Sequence, residues 1–548
     1  MHLDLVNHIL QQSGLPPLGK VPITPAKPHV ITAKTVTDMV PKRSDKLSSF
    51  PRAFSIELGG ITHEVKFWNG EHLKAKLLAC DTETKIIVGA EVPQLALLSC
   101  SSGDETVIVC PDDAAAFVMV HSDCDFVFHH AAFDFWVLVN HFNNSDEDDA
   151  FFHMWMLAQS NRLHDSMILD QLIRLGRDGV FLSCRDLSEV AAEYAKLSIS
   201  KDNPYRLQFE KIIGKEWSQV EEGFFVYAAA DALATIKSYI ALRSAAQVIA
   251  EKVKHQPWPD AIQRFGLLTE GTQIRAAIAL GSITQNGIAI DRVRLNAIDQ
   301  ELASKIETLT AEIQKLSICR GLFKQDRAGR ILRCNTGVPQ IDRKKQQLIL
   351  GEILHMHRFD GLPPVTRTKD GTYKTDEESW DPYRVYSPFI AMWLELEKLG
   401  KLRSFTQLKG NRVHPRYSVL VLTGRTSCSN PNVQQTPRKG GVRECLIPSD
   451  GNYFFIIDYS YIELVVLAAI CLKRYGFSKL ATIISAGIDP HVYTAALITG
   501  VSLEEFQKLK KTDPQKYKEL RQKAKALNFG ALPFSAYFTL CIKMRNGT

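Results

Sequence analysis

The stretch LLACDTET at residues 77–84 decides the fold of the first half of the chain. Apolar and small residues lead into Asp81, Thr82 and Glu83, which is typical of a strand that ends in acidic residues. Side chains alternate along a strand with a period of two, so Asp81 and Glu83 are predicted to share one face. A D-x-E pair alone is more often a solvated face, so its interpretation depends on the motifs that accompany it.

Two later motifs supply further acidic residues in order along the chain. FVFHHAAFD at 126–134 ends in Asp134, and VYAAADALAT at 226–235 contains Tyr227 and Asp231. Tyr-x-x-x-Asp on a helix places the ring and the carboxylate on one face, one turn apart. Carboxylates that converge on one point can hold two divalent cations, and these hard ligands favour Mg²⁺ or Mn²⁺ over zinc. The predicted metal ligands are Asp81, Glu83, Asp134 and Asp231.

This set of residues resembles the tyrosine-bearing branch of the DEDD 3′–5′ exonuclease superfamily. The resemblance implies a ribonuclease H-like α/β domain at 51–250 that cuts single-stranded 3′ ends and releases nucleoside 5′-monophosphates. Asp81, Glu83 and Asp231 would hold one metal and Asp81 with Asp134 the other, while Tyr227 orients the attacking water. His130 replaces the usual asparagine of the family, so it is a candidate nucleotide contact, with a packing role as the alternative.

A second group of motifs follows in the C-terminal part of the chain: TGRTSCSNPNVQQTPR (423–438), IIDYSYIEL (456–464), GIDPHVYTAALITG (487–500) and RQKAKALNFG (521–530). These motifs resemble those of the family A DNA polymerases. The resemblance implies a multidomain α/β protein in which the exonuclease domain is followed by a helical thumb at 265–410 and a partial right-hand palm and fingers at 411–548. DNA replication or repair would be its setting, with primer–template DNA and dNTPs as partners.

The polymerase resemblance assigns a role to each matching residue. Asp458 would end a strand and hold the catalytic metals, with the carbonyl of Tyr459 as a further ligand, while Glu463 would exclude a ribose 2′-hydroxyl. The residues expected to contact the incoming nucleotide are His491, Arg521, Lys525 and Phe529. The residues expected to contact the DNA minor groove are Arg425, Asn432 and Gln434.

The sequence departs from the family after Ala531. Pro533 stands where the family has a tyrosine, and the palm segment His-Asp-Glu with the second metal-binding aspartate does not follow. We therefore expect a C-terminally truncated polymerase that is competent only as an exonuclease. The alternatives are a stand-alone 3′–5′ exonuclease and a non-catalytic DNA-binding subunit that a second polypeptide completes.

Composition sets wider limits on the protein. A net charge of +6 permits a nucleic-acid partner. Eleven cysteines without a C-x-x-C motif argue against a zinc ribbon and favour a reducing, cytoplasmic or otherwise intracellular compartment. No uninterrupted apolar run reaches the roughly 18 residues of a membrane span, so no membrane partner is expected. Residues 1–50 combine a short amphipathic tip, a candidate site for a replication partner, with a proline-rich linker.

The pattern of apolar residues also predicts individual elements. Strands are predicted at AFSIEL, LLACDTE, LALLSC, TVIVC and DFVFHH, and helices near 160–175, 186–197 and 223–247. The acidic run 145–149 is predicted to be a solvated loop. Leucines at seven-residue intervals from 295 to 316 predict a helix that packs on another helix. We expect 318–376 to loop out and 413–548 to form a second α/β region.

Overall fold

The computed structural model describes residues 53–530 except 180–182, 200–201, 253–260, 357–361, 363 and 422–424. The predicted N-terminal tip and linker, and Pro533, lie outside the described residues. The chain divides into two compact units. Of the described residues, unit 1 comprises those within 53–252 and 261–449, and unit 2 comprises 450–530.

Seven strands form one mixed sheet in unit 1: β1 Ala53–Leu58, β2 Ile61–Phe67, β3 Leu77–Thr84, β4 Leu95–Ser101, β5 Thr106–Val109, β6 Asp125–Phe128 and β7 Leu163–Asp165. Their order across the sheet is β1-β2-β5-β4-β3-β6-β7. β3 pairs antiparallel with β4 and parallel with β6, and β6 pairs parallel with β7. The strand that carries the D-x-E pair therefore has a hydrogen-bonded neighbour on each edge.

Helices cover both faces of this sheet: α1 Ala114–Val120, α2 Ala131–Asn144, α3 Asp148–Gln159, α4 Ser166–Asp178, α5 Leu187–Val190 and α6 Glu222–Lys252. Leu78 of β3 packs in a core cluster with Phe117 of α1. The next residue, Ala79, packs in a second cluster with Ala228 of α6. Because strand side chains alternate, Asp81 shares the face of Ala79 and points toward the α6 side.

The five predicted strands are confirmed within one or two residues at their ends. The pattern missed β2 and β7, and the helix predicted near 160–175 begins only at Ser166, after β7. The acidic run 145–149 is only partly a loop, because Asp148 and Asp149 occupy the first turn of α3. Acidic side chains are favourable there, because the first turn of a helix carries partial positive charge.

Helix α6 is the one helix in the described part of the chain whose length and composition would allow it to cross a membrane. Its most apolar window is 61% buried inside the protein, since it packs along β3 and β4. An amphipathic pattern is absent because the helix is covered on most sides. The helix is the core helix of the domain. It extends from Glu222 to Lys252, so the predicted helix near 223–247 was too short at its C-terminal end.

The rest of unit 1 is mainly helical: α7 Ala261–Phe265, α8 Glu270–Asn286, α9 Arg292–Lys315, α10 Arg343–Met356, α11 Glu377–Trp380 and α12 Pro388–Ser404. Short strands complete it: β8 Ile288–Ile290, β9 Arg412–Val413, β10 Arg416–Ser418, β11 Ser427–Ser429 and β12 Leu446–Ile447. They form a three-stranded sheet in the order β12-β8-β9 and the pair β10-β11.

The leucine repeat lies on α9, which packs against α12 as the pattern predicts. Leu295 and Leu302 are buried, whereas Leu316 ends the helix as its C-cap. The prediction that 318–376 loops out is wrong for its centre, because α10 lies within it. Ile349 and Leu350 of α10 are fully buried in the helical core. Burial of this apolar face stabilises the helix, although the basic and glycine-rich residues on either side favour a loop.

Within its described residues, 450–530, unit 2 contains helices and no strand: α13 Ile462–Tyr475, α14 Lys479–Ser485, α15 Pro490–Thr499, α16 Leu503–Thr512 and α17 Pro514–Gly530. Phe506, Val492 and Ala524 form its small core. The predicted strand that ends on Asp458 is therefore wrong. The predicted α/β region at 413–548 holds in its first part, where β10, β11 and β12 lie, and its described remainder is helical. A strand requires a hydrogen-bonding neighbour, and the described residues supply none to 453–460.

Candidate active site

The end of β3 and one face of α6 bring three carboxylates together. Asp81 and Glu83 project from β3, and Asp231 projects from α6, which crosses the sheet beside it. One carboxylate oxygen from each of these three residues lies within 4.8 Å of the other two. The pairing of β3 with β4 shifts register between Glu83 and Thr84, so a bulge ends the strand at the cluster.

Asp134, the fourth acidic residue, lies in the first turn of α2 and is 2% exposed. Its Oδ1 accepts hydrogen bonds from the Thr82 hydroxyl at 2.6 Å and from the Thr82 backbone N–H at 3.1 Å. Thr82 lies between Asp81 and Glu83 and so ties the fourth acid to the strand that carries the first two. Sequence reasoning did not assign this role to Thr82.

A second buried acid, Asp165, positions the helix that carries Asp134. Its Oδ1 accepts from the N–H groups of Met167 and Ile168 and so caps α4. Its Oδ2 accepts from the N–H of Ala131 at 2.8 Å, at the start of α2. Asp165 was missed, although an aspartate directly before an apolar helix is a recognisable N-cap signal.

Burial raises the pKa of every carboxyl in the cluster. Desolvation is the largest cause for Asp81 and Glu83, and the neighbouring carboxylates add to it. Burial raises the pKa of Asp134 to about 7, against the hydrogen bonds from Thr82. Burial also raises the pKa of Asp231 to about 6, against a hydrogen bond from Tyr227 and the charge of Arg206. The charged cluster is therefore costly unless a cation neutralises it.

The donor set fits a hard divalent cation. Oε1 of Glu83 is buried and has no hydrogen-bond partner among the described residues. A buried carboxylate oxygen normally has a partner, so an orphaned one beside two other carboxylates indicates a missing ligand. Carboxylate oxygens are the ligands that Mg²⁺ and Mn²⁺ bind, and the three residues that would hold the cation are Asp81, Glu83 and Asp231.

Tyr227 stands one helical turn before Asp231 and hydrogen-bonds to its carboxylate. Burial, followed by the charges of Asp231 and Glu83, raises the pKa of the Tyr227 hydroxyl far above its usual range. The hydroxyl therefore keeps its proton and can donate or accept a hydrogen bond, but it cannot act as a base. His130 is exposed, adopts a left-handed conformation with φ 86°, and stacks 6.2 Å from Phe133.

The acidic cluster is linked to the helical half of unit 1 through Glu270, the first residue of α8. Its Oε1 accepts from the backbone N–H of Asp165 at 2.9 Å, and its Oε2 accepts from the Tyr239 hydroxyl at 3.2 Å. The Nδ1 of His164 lies 3.4 Å from Oε2 of Glu270. Burial alone would lower the pKa of His164, but hydrogen bonds to Asp125 and Glu270 raise it to about 9.

The candidate polymerase residues of unit 2 lie in two segments: residues 458–463 at the start of α13, and the helices α15 and α17. Asp458 and Tyr459 are exposed and Glu463 is half-buried, and Asp458 belongs to no group of three metal-ligating side chains in the described part of the chain. His491 is 3% exposed on α15, where its Nδ1 lies 3.0 Å from the Asn528 amide of α17.

Arg521, predicted to bind phosphates, forms an ion pair within unit 2. Its Nη2 lies 2.6 Å from Oδ2 of Asp489, the cap of α15. Lys525 follows one helical turn later on α17, as its spacing predicts. The backbone of Phe529 lies in the last turn of α17, and its side chain lies outside the described part.

The three candidate DNA contacts lie in unit 1. Arg425 is exposed and precedes β11. The Asn432 side chain caps a short turn by accepting from the Gln435 N–H at 3.3 Å. The Gln434 amide donates to Thr426 at 3.0 Å, so these two side chains stabilise the loop that presents Arg425.

Comparison with known protein families finds two matching family models in successive parts of the chain. A family model described as 3′–5′ exonuclease matches residues 62–247, and one described as DNA polymerase family A matches residues 334–543. The chain therefore carries a 3′–5′ exonuclease domain over residues 62–247 and a region of DNA polymerase family A over residues 334–543. The predicted α/β fold class, an exonuclease domain followed by a helical polymerase region, is confirmed.

Individual relatives support the same assignment. DNA polymerase I of Bacillus subtilis is 28% identical over 279 residues, which are 48% of this chain and 27% of the relative. DNA polymerase I of Aquifex aeolicus is 33% identical over 215 residues, which are 35% of this chain and 34% of the relative. The matches to the curated relatives thus span about a quarter to a third of those proteins.

A solved structure shares the fold. The POL domain of Pol1 from M. smegmatis, in complex with DNA primer-template and dNTP, aligns with a TM-score of 0.51. The alignment covers 83% of this chain and 67% of that chain at 19% identity. At this identity the likeness establishes the architecture alone.

Proposed function

We propose that this family A polymerase chain removes nucleotides from 3′ ends of DNA and serves a proofreading function in DNA replication or repair. The observation that carries the proposal is the convergence of Asp81, Glu83 and Asp231, with Oε1 of Glu83 buried and without a partner among the described residues. The held position of Asp134 beside Thr82 supports it. Single-stranded 3′ ends of DNA are the proposed substrate.

The proposed reaction is hydrolysis of the last phosphodiester. A water oxygen attacks the phosphorus, the bond to the 3′-oxygen of the preceding nucleotide breaks, and a nucleoside 5′-monophosphate leaves. Two divalent cations, Mg²⁺ or Mn²⁺, would stabilise the attacking and leaving oxygens when bound. The protein holds the site by fixing Asp81 and Glu83 on a strand that is paired on both edges.

Tyr227 has a positioning role in this proposal. Its pKa is raised, so its hydroxyl retains the proton and aligns the water by hydrogen bonding. Thr82 holds the Asp134 carboxylate, and Asp165 holds the first residue of the same helix, so both fix its N-terminal turn. The partial burial of the cluster lowers the local dielectric, which strengthens each electrostatic contact inside it.

The direct test uses the double variant Asp81→Ala, Glu83→Ala on a labelled single-stranded oligonucleotide. It should abolish digestion, because two of the three converging carboxylates are lost. The matched control is Glu57→Ala, Glu64→Ala, which removes two exposed strand acids of the same domain and should digest at the wild-type rate. Undiminished digestion by the first variant would show that another site cuts DNA.

Nucleotidyl transfer is the second candidate function, and the match to the DNA polymerase family A model favours it. Primer–template DNA and dNTPs are its proposed partners, with Asp458 as the metal-binding residue. In the described part of the chain Asp458 belongs to no group of three or more metal-ligating side chains. We therefore propose that the 548-residue polypeptide alone acts as an exonuclease and does not extend primers.

Primed template, dNTPs and Mg²⁺ with the variant Asp81→Ala test that second proposal, because degradation then cannot mask synthesis. No extension is expected. Template-directed extension by this variant would show that a second metal ligand is present and that the exonuclease-only assignment is wrong.

A further inference from the structure

A second group of metal-ligating side chains lies at another place in the exonuclease domain. His72 follows β2, whereas Asp123 and Cys124 form the turn that enters β6. Their ligand atoms all lie within 4.8 Å of one another. The group contains one nitrogen, one oxygen and one sulfur donor, unlike the all-carboxylate cluster of the active site.

The distances between these donors match a tetrahedral coordination sphere. His72 Nε2 lies 3.7 Å from Cys124 Sγ, Cys124 Sγ lies 3.5 Å from Asp123 Oδ1, and His72 Nε2 lies 2.8 Å from Asp123 Oδ1. Zinc bonds of about 2.0–2.3 Å at tetrahedral angles separate neighbouring ligands by roughly 3.3–3.7 Å. Two of the three separations already fit, and the third opens by about half an ångström if the exposed side chains of His72 and Asp123 part.

The backbone around the three donors is fixed before any ligand arrives. The Leu73 N–H donates to Nε2 of buried His121 at 2.9 Å, which anchors the segment that carries His72. The Asp125 N–H donates to the Lys76 carbonyl at 2.8 Å, which joins the two segments. The remaining oxygen of Asp123, Oδ2, pairs with the Lys76 ammonium, as carboxylate ligands of metals are commonly supported by an outer partner.

We propose that His72, Asp123 and Cys124 form a binding site for one zinc-class divalent cation, separate from the exonuclease cluster. The mixed nitrogen, oxygen and sulfur donor set selects zinc over magnesium. Binding replaces the thiol proton of Cys124, which is released to solvent, and forms one bond to each of the three side chains. A fourth position is left for water, and the bound cation would cross-link the 72–76 segment to the entry of β6.

Cobalt(II) is the probe, because a thiolate ligand gives it a sulfur-to-metal charge-transfer band that the carboxylate site cannot produce. Metal-free, reduced full-length protein titrated with Co²⁺ should develop this band to saturation at one ion per chain. Zinc should remove the band, whereas excess Mg²⁺ should leave it in place.

Variants decide whether the three residues are responsible. Cys124→Ser should lose the band, and Cys184→Ser, the exposed-cysteine control, should retain it. His72→Ala changes an exposed side chain, and it should weaken cobalt binding at least about tenfold. A wild-type protein without the band, or a band that survives in Cys124→Ser or keeps full affinity in His72→Ala, would overturn the proposal.

Discussion

Replacing Asp134 by asparagine should stabilise the metal-free exonuclease domain while it removes activity. Burial raises the pKa of Asp134 to about 7 from 3.8, and this difference corresponds to about 4 kcal/mol of lost stability above pH 7. The competing loss is small, because the asparagine Oδ1 can still accept from Thr82 and such a bond contributes about 1 kcal/mol. The net gain expected for Asp134→Asn is therefore about 2–4 kcal/mol at pH 8.

The pH dependence follows from the sign of the shift. A folded pKa above the unfolded one means that the folded state binds more protons between pH 3.8 and 7. The wild-type protein thus loses stability as pH rises through that window, whereas the asparagine variant does not. The difference in the free energy of unfolding between Asp134→Asn and the wild-type protein should therefore be less than half as large at pH 5 as at pH 8.

Hydrogen exchange of the β3 and α2 amides in EDTA reports the stability of this domain at both pH values. The matched control is Asp104→Asn, an exposed aspartate of the same domain, which should change protection little. Equal or lower protection in Asp134→Asn at pH 8, or a difference independent of pH, would refute the reasoning about the charged cluster.

Three further predictions concern the water-positioning tyrosine, the helix that adjoins the site, and DNA affinity. Tyr227→Phe should slow digestion of single-stranded DNA by about 10²–10⁴-fold. Tyr194→Phe should not, because the Tyr194 hydroxyl has no hydrogen-bond partner among the residues that the structure describes. Equal rates for the two variants would contradict the role of Tyr227. Because the pKa of His164 is raised to about 9 in the folded protein, its charged form stabilises the fold below pH 6.5, and this stabilisation is lost as the pH rises through about 9. Glu270→Gln removes one source of the raised pKa. It should therefore lower the stability of the protein at pH 6.5 and make the loss of stability between pH 6.5 and pH 9 smaller. Thermal unfolding at both pH values measures that change, and an unaltered decline would contradict it. DNA affinity should fall at least about tenfold between 50 and 200 mM salt in binding titrations, since phosphate contacts release counterions, and a flat response would contradict a phosphate-dominated interface.

The sequence predicted the two halves of the acidic cluster because their signals are local. A period of two on a strand places Asp81 beside Glu83, and a spacing of four on a helix places Tyr227 beside Asp231. The convergence of these two pairs was implied by the resemblance to the DEDD exonucleases. The strand assignment around them succeeded for the same reason, since apolar runs bounded by turns mark buried strands.

The supporting residues could not be predicted because their roles depend on long-range contacts. Asp165 accepts a hydrogen bond from Ala131, and Glu270 accepts one from the N–H of Asp165, 105 residues earlier. No local pattern encodes either contact. The prediction of a strand before Asp458 was wrong although its local signal was clear. The apolar residues there fit a strand, but no described residue pairs with them.

The most direct measurement of the central claim follows the digestion of a single-stranded DNA oligonucleotide labelled at its 5′ end. With Mg²⁺, wild-type protein should shorten the labelled strand one nucleotide at a time from the 3′ end and release nucleoside 5′-monophosphates, and EDTA should stop the reaction. Labelled mononucleotide as the first product, internal cleavage, or digestion that continues in EDTA would contradict a metal-dependent 3′–5′ exonuclease at Asp81, Glu83 and Asp231.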